Sequence, residues 1–84
     1  MNRDDILTLV VGYMTDANEE LRAADVNPAR SMVDHGLTSL DIVEVVTRAM
    51  RQLTVTIPRP ELRKMRNIND LVDALHRTVA ARKP

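Results

Sequence analysis

The chain has 84 residues, 44% of them apolar, with one Tyr, no Trp, no Phe, no Cys and a formal net charge of zero. That is one small domain, 1–84, whose core must come from Leu, Ile, Val, Met and Ala, and the missing cysteines exclude a disulfide framework, a thiolate metal site and a cysteine nucleophile. The neutral total hides a division: residues 1–42 set Arg3, Arg22 and Arg30 against eight carboxylates, and residues 43–84 set nine basic side chains against four acidic ones.

Ile6, Leu9, Val10, Tyr13 and Ala17 recur at helical spacing and predict a first helix over about Asp4–Thr15. Asn2 stands three residues ahead of Asp5, a capping side chain before a first-turn carboxylate. Good helix formers from Ala17 to Ala24 allow that helix to extend. The stretch from Asp16 to Thr38 is a long connection for a compact domain. Val26, Met32, Val33 and Leu37 are expected to pin it to the core, with Pro28 and Gly36 as punctuation. A second helix is predicted over Ser39–Leu53, capped by Thr38 ahead of Asp41, with Ile42, Val45, Val46, Ala49 and Leu53 facing the core. Leu53, Val55 and Ile57 alternate briefly as a strand would, but the run ends at Pro58. Between Pro58 and Asn67 there is room for a short third helix, which Pro60 can begin. A fourth helix over about Ile68–Ala81 follows the pair Asn67 and Asp70, with Ile68, Leu71, Val72, Leu75 and Val79 inward. The reading is all-α: a small four-helix bundle, core about 4–80, with three main helices, a short third one, a long loop between the first two, and a frayed tail from Ala80 to Pro84.

Chemistry is thinly provisioned. His35 and His76 are a loop and a helix-surface histidine with no cluster at metal-ligand spacing, so no enzyme is expected. The apolar stretch Ile6–Met14 falls far short of the roughly 20 residues that cross a bilayer. Asp4 and Asp5 lie where a signal peptide would be basic, so a cytoplasmic protein is expected. A pI near 6.7 argues against nonspecific nucleic-acid binding by the whole molecule.

The informative segment is Asp34-His35-Gly36-Leu37-Thr38-Ser39-Leu40-Asp41. Gly36 allows a tight turn, Thr38 caps, and Ser39 is the first residue of helix 2. Its hydroxyl lies beside unsatisfied backbone N–H groups and the positive end of the helix dipole. A phosphate esterified there would occupy a favourable anion site. Ser39 has no evident base, so the position suits modification rather than catalysis. The blander reading is a helix-start serine with no role.

The Gly-x-x-Ser-Leu-Asp pattern of Gly36–Asp41 resembles the prosthetic-group site of acyl and peptidyl carrier proteins. Val26-Asn27-Pro28, Met32-Val33-Asp34, Ile57-Pro58 and Ile68–Leu75 are similar to that family's loop, third-helix entry and fourth helix. The resemblance implies that Ser39 receives 4′-phosphopantetheine from coenzyme A, and that the arm holds an acyl or aminoacyl group as a thioester. It also implies a phosphopantetheinyl transferase and acyl- or aminoacyl-loading, condensing and modifying enzymes as partners, with no nucleic acid, no membrane and a monomeric carrier. Three departures stand out: Thr38 where bacterial fatty-acid carriers usually have Asp, His35 beside the glycine where Leu is usual, and basic residues after helix 2. The freestanding length and the loss of the usual acidic face tilt the reading toward polyketide or nonribosomal-peptide-like biosynthesis over fatty-acid synthesis.

Helical projection places Leu40, Glu44, Thr47 and Arg51 opposite the core stripe, with Val43 and Met50 flanking it. The resemblance makes Leu40, Asp41, Glu44, Thr47 and Arg51 the partner-docking candidates, against the plain alternative of a solvated face. Arg51, Arg59, Arg63, Lys64 and Arg66 read as a polar face or as a partner-specific patch. Two other classes compete: an unmodified helical interaction module, and a helix-turn-helix DNA binder using the basic half.

Overall fold

The computed structural model describes residues 1–82 and contains four α-helices: α1 (Arg3–Ala17), α2 (Ser39–Leu53), α3 (Arg59–Leu62) and α4 (Ile68–Ala81). Two 3₁₀ turns, Ala23–Asp25 and Val33–His35, interrupt the α1–α2 connection, and the described residues include no strand. The three capping pairs act as their spacing implies. Asn2 and Thr38 each accept a hydrogen bond from the N–H of the aspartate three residues on, and that aspartate accepts in return from the cap's own N–H. Asn67 likewise accepts from the Asp70 N–H, while Asp70 reaches back to the Arg66 N–H instead.

α1 packs against both α2 and α4. Its fully buried side chains are Ile6, Val10 and Met14; Leu9, Tyr13 and Ala17 only flank them, half-buried. Met14 joins the core because it sits one further i+4 step along the Ile6–Val10 ridge. The helix starts one residue earlier and ends two later than expected, and it does not continue to Ala24: Asn18 turns extended, and its N–H closes the end on the Met14 carbonyl. Tyr13 gains a cover from α2, with the Arg48 guanidinium 4.3 Å from the ring centroid and 3.6 Å from the Asp16 carboxylate. The Arg3 side chain pairs with Asp73 and donates to Asn69 Oδ1, joining α1 to α4.

The long connection is held by its own polar groups. The first N–H donors of α4, on Ile68 and Asn69, have no partner within their helix. They donate instead to the carbonyls of Arg30 (3.1 Å) and Pro28 (2.9 Å), so the loop serves as a backbone cap for α4. Met32 and Leu37 are buried as expected, but Val33 is 64% exposed. A 3₁₀ turn advances about 120° per residue, so pointing Met32 inward turns Val33 out.

After α2 the backbone turns through Thr54, at φ 56°, with the Val55 N–H bonding to the Met50 carbonyl. The Leu53–Val55–Ile57 alternation is real as burial, all three facing the core while Thr54 and Thr56 face solvent, yet Leu53 ends α2 and the residues after it form a connector rather than a strand. α3 begins at Arg59, so Pro60 occupies its second position rather than opening it. Within the stretch expected to fray from Ala80, helix continues to Ala81, and Arg82 donates to the carbonyls of Leu53 and Thr54. The rest of that expected tail, Lys83 and Pro84, lies outside the described residues.

Candidate functional site

Ser39 is exposed at the first position of α2. Its placement is built from the loop side. His35 holds the loop shut: Nδ1 lies 2.6 Å from the Ser31 carbonyl and Nε2 accepts the Asn27 N–H at 2.9 Å, which requires the Nδ1–H tautomer. Gly36 then takes φ 85°, and a Cβ there would lie 3.1 Å from Asn18 Nδ2. That same nitrogen donates to the His35 carbonyl at 3.2 Å, so the end of α1 positions the start of α2. Glycine is needed both for its backbone angle and for the space it leaves.

Two first-turn donors of α2 are taken: the Asp41 N–H by Thr38 Oγ1, and the Ile42 N–H by the Thr38 carbonyl. The N–H groups of Ser39 and Leu40 have no partner among the described residues, and neither does the Ser39 hydroxyl. An exposed hydroxyl beside two open N–H donors at a positive helix end fits a phosphodiester, whose charge those donors can bind. No basic side chain hydrogen-bonds Ser39 to raise its nucleophilicity.

Leu40 is 80% exposed, and Glu44, Thr47 and Arg51 are exposed on the same face. Asp41 is tied into the cap through its bond to the Thr38 N–H at 3.0 Å, so its carboxylate is partly committed. Arg51 shares the face but stands 12 residues from Ser39, about 18 Å along the axis, and is not brought to the serine. Val43, which projection set beside the core, is 61% exposed. It lies about 100° from the centre of the buried stripe, outside an apolar face of ordinary width, and that angle was the available signal. Val33 and Val43 both border a groove between α2 and the α3 segment.

At four residues, α3 is too short to act as a recognition helix in a DNA groove. Among the described residues no three His, Cys, Asp or Glu side chains gather as a metal site, and no helix is long and apolar enough to cross a membrane.

Comparison with known proteins adds to this geometry. A family model described as phosphopantetheine attachment site matches residues 16–75. A polyketide biosynthesis acyl-carrier protein of Bacillus subtilis is 28% identical over 76 residues, covering 90% of this chain and 93% of that one. An aminoacyl carrier protein of Bradyrhizobium diazoefficiens is 37% identical over 60 residues, 71% of this chain and 63% of that one. Among solved structures, the acetyl-donor acyl carrier protein crystallised with the HMG synthase of curacin biosynthesis superposes with a TM-score of 0.80. It is 27% identical, and the match covers 92% of this chain and 99% of the other.

Proposed function

This chain belongs to the family of phosphopantetheine attachment domains, a carrier family whose members bear covalent 4′-phosphopantetheine, and we propose that its arm is esterified to Ser39. The observation that carries the assignment is the free, exposed Ser39 hydroxyl at the start of α2, within the matched range. When bound, the arm supplies the thiol that the sequence lacks, and with it a thioester tether.

Each residue around the serine has a physical part. Gly36 and Asn18 fix where the loop enters α2, and Thr38 fixes where the helix begins. The open N–H groups of Ser39 and Leu40 bind the phosphodiester anion and orient the arm outward. With no base at the serine, the transfer chemistry belongs to a phosphopantetheinyl transferase, and the chain itself is not an enzyme. Its contribution is effective concentration: once docked, a tethered acyl group reacts as if intramolecular. Leu40 is the apolar centre of the docking face, with Glu44 and Thr47 beside it, the partly committed Asp41 at its top and Arg51 at its lower edge. Loading, condensing and modifying enzymes of specialised metabolism, in the cytoplasm, are the partners we assign to a monomeric carrier. The polyketide carrier protein matched over 93% of its length supports an acyl cargo.

Intact mass spectrometry after incubation with coenzyme A, magnesium and a broad-specificity transferase tests this directly. The wild type should gain one phosphopantetheine and Ser39→Ala none. Modification persisting in Ser39→Ala would overturn the site.

A further inference from the structure

A groove of about 850 Å³ runs beside α2, in the size range of small-molecule sites. Ile42, Val46 and Met50 form its α2 wall, and Ile57, Leu62 and Met65 face them. It opens one turn below Ser39, since Ile42 is the third residue after the serine, and it reaches Met50, about 16 Å along the axis. The segment carrying α3 runs back along it. At the foot, the Ile57 N–H points to Met50 Sδ at 3.3 Å. At the other end, the Ile68 and Asn69 N–H groups are tied to the loop that leads toward Ser39.

Arg59, Arg63 and Arg66 therefore follow one another along the groove's edge, and all three are exposed. Among the described residues the ion pairs are Arg3–Asp73, Arg30–Asp34 and Arg48–Asp16, so these three guanidiniums have no carboxylate partner. The acidic residue among them, Glu61, lines a different recess together with Lys64. Every formal charge lining the groove is positive. An apolar floor beside three unpaired guanidiniums complements an apolar chain that ends in an anion. A hydrocarbon tail would use the floor and leave the guanidiniums idle, whereas a carboxylate can accept a bidentate pair from one of them.

On the reading that Ser39 bears the arm, we propose that the acyl group folds back into this groove and that Arg59, Arg63 and Arg66 select one ending in a carboxylate, a dicarboxylic acyl thioester.

The test loads the arm of the full chain with glutaryl or with hexanoyl, whose sixth carbon takes the place of a glutaryl carboxylate oxygen, and verifies each form by mass. Two-dimensional NMR then follows Val46 and Leu62, and a ¹³C label on the terminal glutaryl carboxyl follows its titration. The expected result is that glutaryl shifts both residues and its carboxyl titrates about one pH unit below that of free glutaryl-pantetheine, the low end for a carboxylate beside a guanidinium. Combining Arg59→Gln, Arg63→Gln and Arg66→Gln should abolish that displacement. Equal groove shifts with glutaryl and hexanoyl and an undisplaced titration would overturn the carboxylate selection. Shifts with neither would overturn occupancy of the groove and leave the arginines to an acidic protein surface. Failure of the chain to take up the arm at all would instead overturn the carrier reading itself.

Discussion

Two threonines bracket α2, one in ordinary extended backbone and the other in a left-handed conformation. Thr38 is extended, with its hydroxyl accepting the Asp41 N–H at 3.1 Å. Thr38→Ala removes that acceptor and should cost about 0.5–2 kcal/mol, while Thr38→Asp, another good cap, should be near neutral in urea unfolding. Equal curves for the wild type and Thr38→Ala would mean that the helix start is held by other contacts. Thr54 sits at φ 56°, ψ 45°, a left-handed conformation that a β-branched residue resists. Its N–H and carbonyl are used by the turn and by Arg82, and glycine keeps both. Thr54→Gly should therefore stabilise the protein by about 1 kcal/mol, the lower end of the cost of a non-glycine residue in that region. A midpoint that stays put or falls would show that the threonine side chain is anchored.

The connection between α1 and α2 is the element whose order depends most on polar side chains. The Arg30 guanidinium beside Asp34, followed by the Ser31 N–H, holds the Asp34 carboxyl below its ordinary value of 3.8. A carboxyl lowered in the folded state stabilises it when ionised, so the contribution is complete above that ordinary value and disappears as pH falls through the folded one. The stability gap between wild type and Asp34→Asn should be present at neutral pH and close below pH 3.8, measured by urea unfolding at stepped pH. A gap that persists in acid would assign it to packing instead. This connection is also the part of the fold least legible in the sequence. The bounds of α2 and α4 were legible because caps and stripes are local: Thr38 with Asp41, Asn67 with Asp70, each before a 3.6-residue pattern. The position of Ser39 at the start of α2 was legible for the same reason, as the residue after a cap, whereas its proposed role rests on the Gly-x-x-Ser-Leu-Asp resemblance. The loop's order rests on pairings between distant residues, Asn18 with His35 and the Pro28 and Arg30 carbonyls with α4, and these leave no periodicity to read. Val43 was blurred because a valine at the boundary of a stripe has the composition of core and the geometry of surface.

On α2 the buried Val45, Ala49 and Leu53 serve stability, and the exposed Leu40 side is left to meet partners. A domain this small has a stability on the order of 5–10 kcal/mol, and without Trp or Phe each buried aliphatic side chain carries a large share of it. Met14 is fully buried on α1, the helix that packs against both α2 and α4. Met14→Ala should cost about 2–5 kcal/mol by leaving a cavity there, which for this chain length lowers Tm by about 10–30 °C. Leu40 and Val43, at 80% and 61% exposed, leave little cavity when shortened. Leu40→Ala and Val43→Ala should each stay within about 0.5 kcal/mol of wild type, and Leu40→Ala, at the centre of the docking face, should slow arm transfer or partner engagement. Thermal unfolding by circular dichroism, run beside the mass assay on the same variants, separates the two effects. If Leu40→Ala or Val43→Ala lowered Tm as far as Met14→Ala, that face of α2 would be packed in solution, and its residues would not be free to meet a partner.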